Sequence, residues 1–95
     1  MRQHTPVTRI GKALSHPLRE RILRLLEDGE RCGCEFAPEL GVDPSTVSRS
    51  LNLLERAGLV VSRRDGVRVL WRLVNPEILG TLDRLIDLTR DGGIA

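Results

Sequence analysis

The chain has 95 residues, 40% of them hydrophobic and 29% charged, and a net charge of +2. Such a length holds one small domain over residues 1–95, and the composition excludes a disordered chain. No apolar run approaches membrane-spanning length, and the N-terminus MRQHTPVTRIGKALSHPL has no apolar signal-peptide core, so a cytoplasmic protein without a membrane partner is expected.

The first predicted element is a short helix over about residues 6–14, with Val7, Ile10 and Leu14 on one side. A second helix starts at Pro17, carries Leu18, Ile22, Leu25 and Leu26 as its apolar stripe, and ends at Asp28-Gly29. A third, shorter helix runs from near Cys34 to Leu40 and is closed by Gly41. A fourth follows after Val42. Asp43 is placed to cap it, Pro44 suits its first position, and Gly58 ends it. Leu59–Arg63 and Arg68–Leu73 read as two strands, with Asp65-Gly66 as a two-residue turn that sets Arg63 opposite Arg68. Val67, Val69, Trp71 and Leu73 then share the inward face. Pro76 opens a last helix with Ile78, Leu79, Leu82, Leu85 and Ile86 apolar, ended by Gly92-Gly93. The expected fold is mainly α with a small β-hairpin: a winged helix-turn-helix of about five helices and a two-stranded wing. The wide apolar stripe of the last helix, together with the first helix, is the expected surface for a homodimer.

The fourth helix carries the chemistry. Val47, Leu51 and Leu54 give it an apolar stripe, while Ser45, Thr46, Ser48, Arg49 and Asn52 occupy the other face. Short hydroxyls, an amide and a guanidinium donate to base edges and phosphates, whereas an ordinary solvated face favours Glu and Lys pairs. Residues 44–75 hold six Arg against two acids, Glu55 and Asp65. That clustering, with Arg63, Arg64 and Arg68 in the wing, is the electrostatic footprint of a protein that binds double-stranded DNA.

Cys32 and Cys34 form a C-x-C pair flanking Gly33. Two compact thiols suit soft ions. A regular helix points i and i+2 apart, so joint capture of one ion requires a bent or unwound helix start, which Gly33 eases. Arg31 is placed to favour the thiolate form. No third Cys exists, so His4, Glu35, water, a small thiol or the partner subunit would have to complete a larger ligand set. His16 is assigned a structural place at the start of the second helix. No Ser/His/Asp set, phosphate-binding Gly loop or paired-carboxylate pocket is present to support an enzyme.

Residues 13–75, ALSHPLRERILRLLEDGERCGCEFAPELGVDPSTVSRSLNLLERAGLVVSRRDGVRVLWRL with the flanking residues, resemble the arsenic-repressor (ArsR/SmtB) family of bacterial winged-helix repressors. The resemblance rests on the order of an L-S-x-P-x-R-x-x-I-L helix start, C-x-C, S-T-V-S-R, L-x-x-L-x-x-A-G-L-V and an Arg-rich wing. It implies a homodimer that represses transcription from an imperfectly palindromic operator and lets go when an effector binds. It carries DNA contacts over to Ser45, Thr46, Ser48 and Arg49 and to wing residues Arg63, Arg64 and Arg68. It places metalloid ligands at Cys32 and Cys34, with arsenite or a soft metal ion as effector and no cofactor needed for DNA binding. The chain departs from the family pattern in lacking a third Cys and in having Asp83 and Asp87 but no His on the last helix, which discounts a zinc- or nickel-type site there. His16 stands where the family has Asp before the Pro. Two other readings stay open: a repressor of the same fold responding to thiol oxidation or reactive sulfur, and a winged helix serving only as a protein-interaction module. The i, i+2 spacing makes an unstrained intrachain disulfide hard to form and favours the metalloid.

Overall fold

The computed structural model describes residues 5–92. His4 and Gly93, both singled out above, lie outside them. Helix α1 covers Pro6–Ala13 and starts where Thr5 Oγ1 accepts from the Thr8 N–H at 3.1 Å. Helix α2 covers Pro17–Leu25, and His16 holds its start: Nδ1 accepts from the Leu18 N–H at 3.1 Å. Pro at the first helical position leaves no orphan donor there in either helix. Arg19 ties the two together by donating to the carbonyls of Ala13 (2.7 Å) and Lys12 (3.0 Å).

Helix α3 is short, Phe36–Leu40, and ends at Gly41 with φ 68°, the left-handed backbone that glycine adopts without a Cβ penalty. The N–H groups of Gly41 and Val42 both return to the Ala37 carbonyl, at 2.9 and 3.2 Å, and close the tight turn. Helix α4 then runs Pro44–Arg56. Asp43 precedes it in extended conformation but its carboxylate makes no capping bond, so the expected side-chain cap is absent. Val47, Leu51 and Leu54 are buried as the stripe requires, and Ser50 is buried beside them. They meet Ile22, Leu23, Leu26, Phe36 and Val60 in the core.

The sheet differs from the expected two-stranded wing. Strands β2 (Val60–Asp65) and β3 (Arg68–Leu73) are joined by a third, β1 (Arg31–Cys32), in the order β1-β3-β2, all antiparallel. The hairpin register is also shifted. Asp65 pairs with Arg68, so the loop is Gly66-Val67, and Arg63 stands opposite Leu70 rather than Arg68. Gly66 takes φ 67° while, among the described residues, no non-glycine residue, Val67 included, has positive φ, which is the glycine-first form of a two-residue turn. Val67 therefore projects from the tip, 95% exposed, instead of packing inward. Trp71 and Leu73 are buried and Val69 half-buried, as expected.

Helix α5 spans Glu77–Gly92, one residue after Pro76, with Asn75 Oδ1 accepting from the Glu77 N–H at 2.8 Å. Arg24 of α2 bridges to Asp83 of α5 at 2.8 Å. Leu79 is buried, but Leu85 and Leu88 remain exposed. This is the winged helix-turn-helix fold expected from the sequence.

Candidate nucleic-acid interface and thiol site

Four of the five polar residues assigned to the reading face of α4 are exposed: Ser45, Ser48, Arg49 and Asn52. Thr46 is half-buried, and its Oγ1 lies 3.5 Å from the Arg49 guanidinium, a marginal contact that leaves Arg49 near the front of the helix. The apolar stripe anchors α4 and points these side chains away from the core.

The wing arginines are arranged by the register. Direct pairs Val61↔Arg72, Arg63↔Leu70 and Asp65↔Arg68 put Arg63, Arg68 and Arg72 on one face, and Arg64, opposite Val69, on the other. Arg63 is not presented bare. Its Nε and Nη2 donate to the two carboxylate oxygens of Glu30 at 2.7 and 2.8 Å. The charge-assisted bonds from Arg63 hold the Glu30 carboxyl below its usual range. The partners are 33 residues apart, so no local sequence signal pointed to this pair.

The two sulfurs converge. Cys32 ends β1 with φ −67° and ψ 139°, and Gly33–Glu35 form a 3-10 turn before α3 begins. The thiol segment is thus not α-helical, and the i, i+2 side chains come to the same side with Sγ atoms 2.6 Å apart. The Cys34 N–H also lies toward Cys32 Sγ, at 3.4 Å. The Cys34 thiol and backbone N–H, with the Arg68 guanidinium beside them, hold the Cys32 thiol below its ordinary range against the effect of burial. Cys34 is pushed up by the hydrogen bond with Cys32 and by desolvation. Cys32 is 4% exposed, whereas Cys34 is exposed.

The arginine beside the thiols is Arg68, not the expected Arg31. Arg31 instead donates to the Leu25 carbonyl at 2.7 Å and reaches Glu39 (3.2 Å) and Glu35 (3.5 Å). Glu35, a candidate third ligand, is thereby ion-paired. Gly33 is needed for room: a Cβ there would stand 3.2 Å from Trp71 Nε1. On α5, Asp83 pairs with Arg24 and Asp87 lies 3.7 Å from Arg90. Among the described residues no group of three or more His, Cys, Asp or Glu is gathered to hold a metal, and no helix is long and apolar enough to cross a membrane.

Residues 16–62 match the family model described as bacterial regulatory protein, arsR family. The chain is 40% identical over 68 residues to an uncharacterized HTH-type transcriptional regulator of Mycobacterium tuberculosis, covering 70% of this chain but only 60% of that relative's length. It is 46% identical over 62 residues to a putative arsenical resistance operon repressor of Halobacterium salinarum, covering 63% of this chain and 46% of the other. Among solved structures it resembles the homodimeric winged helix-turn-helix DNA-binding domain Mb0332 of Mycobacterium bovis, with a TM-score of 0.77 and 36% identity over 94% of this chain and 82% of that one. A matching family model across the helix-turn-helix, relatives that are transcriptional regulators and not enzymes, and a shared fold leave one assignment: the chain belongs to the arsR family of bacterial regulatory proteins and has their winged helix-turn-helix fold.

Proposed function

We propose that the protein is a homodimeric repressor whose grip on its operator is released when a thiophilic effector is captured by Cys32 and Cys34. The observation that carries this reading is the convergence of both sulfurs where a strand of the wing sheet ends at Cys32 and runs into the 3-10 turn that bears Cys34. Ser45, Thr46, Ser48, Arg49 and Asn52 are assigned to the major groove, and Arg63, Arg64 and Arg68 to phosphates beside it. Capture would pull β1 and the following turn, and because Cys32 pairs with Leu70 on the sheet face that also carries Arg68, the strain passes into the wing. A trivalent arsenical or a soft divalent ion suits the thiol pair. The similarity to an arsenical resistance repressor supports the same class.

The dimer is assigned to α1 and α5. They flank an apolar groove of about 360 Å³ lined by Ile10, Leu14, Ile78, Leu82 and Leu85, and the similar M. bovis domain is homodimeric. Two such subunits present two reading helices, which a palindromic operator requires. The adjacency of the sulfurs also favours a second reading, in which a peroxide or polysulfide takes two electrons and joins the thiols as a disulfide.

The test is release of a labelled operator duplex, followed by anisotropy under reducing conditions. Arsenite is expected to release the wild-type protein at near-stoichiometric amounts, while Cys32→Ser with Cys34→Ser keeps operator affinity and no longer responds. Release of the double variant by arsenite would place the sensor elsewhere. Release by peroxide alone, reversed by dithiothreitol, would select the oxidation reading.

A further inference from the structure

A cleft of about 390 Å³ lies where α1 meets the C-terminal end of α4. Arg9 and Lys12 of α1 and Arg56 of α4 stand exposed along it, and Leu53 and Ala57, both half-buried, supply its apolar part. Among the described residues no acidic side chain lines it. Like charges gathered without an acid repel one another and favour an anion between them.

Two of these cations are spare. A Lys or Arg in the last turn of a helix ordinarily caps the orphan carbonyls there. At the end of α1 that place is already taken. Arg19 donates to the Ala13 and Lys12 carbonyls at 2.7 and 3.0 Å, and Ser15 Oγ donates to the Lys12 carbonyl at 2.7 Å. At the end of α4 the N–H groups of Ala57, Gly58 and Leu59 return to the carbonyls of Leu53, Glu55 and Leu54. Among the described residues neither Lys12 nor Arg56 is ion-paired with a carboxylate.

The cleft is also separate from the surfaces assigned above. Ile10 and Leu14 face the α5 groove, and at about 100° per residue Arg9 and Lys12 turn to the other side of α1. Arg56 ends α4 about 18 Å from Pro44, the end assigned to the major groove. No lining residue is a cysteine, so the site stands apart from the thiol reading.

We propose that this cleft is a site for a small organic phosphate, with the phosphate held by Lys12, Arg56 and Arg9 and the apolar body laid on Leu53 and Ala57. Several cations ask for more than one negative charge, which a phosphate monoester carries near neutral pH and a carboxylate does not. The guanidinium fork of Arg56 suits its oxygens. The space is of small-molecule size. An occupant joins the helix assigned to the dimer to the helix assigned to DNA.

The probes are phenyl phosphate, inorganic phosphate and benzoate, titrated into the full chain at constant ionic strength and followed by the amide resonances of Lys12, Leu53 and Ala57. Phenyl phosphate is expected to shift these amides saturably. It should bind about fivefold tighter than inorganic phosphate, from burial of its ring, and about fivefold tighter than benzoate, from its second charge. Lys12→Ala and Arg56→Ala should each weaken it about threefold or more. Arg21→Ala removes an exposed cation of α2 that does not line the cleft and should leave binding unchanged. The same spectra show that each variant is folded. Shifts that never saturate, or equal losses in all three variants, mean diffuse attraction to a basic surface and overturn the proposal. Equal affinity for phenyl and inorganic phosphate overturns it too, since the apolar part then does nothing. Exclusion of phenyl phosphate by a saturating operator duplex would give these cations to DNA and also overturn it.

Discussion

Arg68 stands between two assignments, one to a DNA phosphate and one to the Cys32 sulfur. Its guanidinium helps hold Cys32 below the ordinary thiol range, after the larger effect of the Cys34 hydrogen bonds. The pair should therefore lose its protons in two separated steps, the first at lower pH than a free cysteine and the second at higher pH. Arg68→Ala removes a charge that favours thiolate, so the first step should move up in pH; ultraviolet thiolate absorbance reads this, and an unmoved first step would detach Arg68 from the sulfur. Sequence reasoning gave that role to Arg31 because it adjoins Cys32. Adjacent strand residues point to opposite faces, and Arg31 pairs with Trp71 while Cys32 pairs with Leu70, the neighbour of Arg68 two positions along β3. What chose the partner was a strand that two residues are too short to announce. His16 was legible as a helix-start residue because a cap is a local matter, and Nδ1 fills it. Asp43 looked equally fit to cap, but its carboxylate makes no such bond.

Among the elements, α4 and its two faces were read nearly to the residue, since a 3.6-residue period and a flanking Pro and Gly are properties of the segment alone. The wing was read with the right strands and a displaced turn. Asp-Gly is a strong hairpin signal, yet Gly66 occupies the first loop position and Val67 the second. The displacement moves Arg63 from Arg68 to Leu70, and its guanidinium is engaged by the Glu30 carboxylate. Glu30→Gln should weaken that hold. Operator binding should tighten and its dependence on salt should steepen by about 0.9 in log–log slope if one phosphate contact is gained. An unchanged slope would mean that Glu30 positions Arg63 for DNA instead of competing for it. Gly33 is a second case where context decides. It read as a hinge easing a bent helix start, and in the fold it is the clearance for the Trp71 ring, so Gly33→Ala should cost about 1 kcal/mol in denaturant unfolding with a changed Trp71 emission.

At the scale of the whole molecule, apolar surface is left over where the chain is expected to meet its copy. Val7 is 80% exposed and Leu85 57%, and the α1–α5 groove lies beside them. Leu85→Glu puts a charge on that face without entering the core. It should give a folded monomer in sedimentation equilibrium and weaken operator binding, because one reading helix replaces two; an intact dimer would move the interface away from α5. The joint between the thiol segment and the wing has a different consequence. Because Arg31–Cys32 is hydrogen-bonded to β3 as the third strand of one sheet, with Gly33 fitted under Trp71, the C-x-C motif is not a portable peptide. Grafting those few residues into another winged helix would deliver thiols without their geometry. The smallest transplantable form of the proposed sensor is a patch of tertiary structure: two thiols, the glycine between them, and the strand bearing Arg68, Leu70 and Trp71.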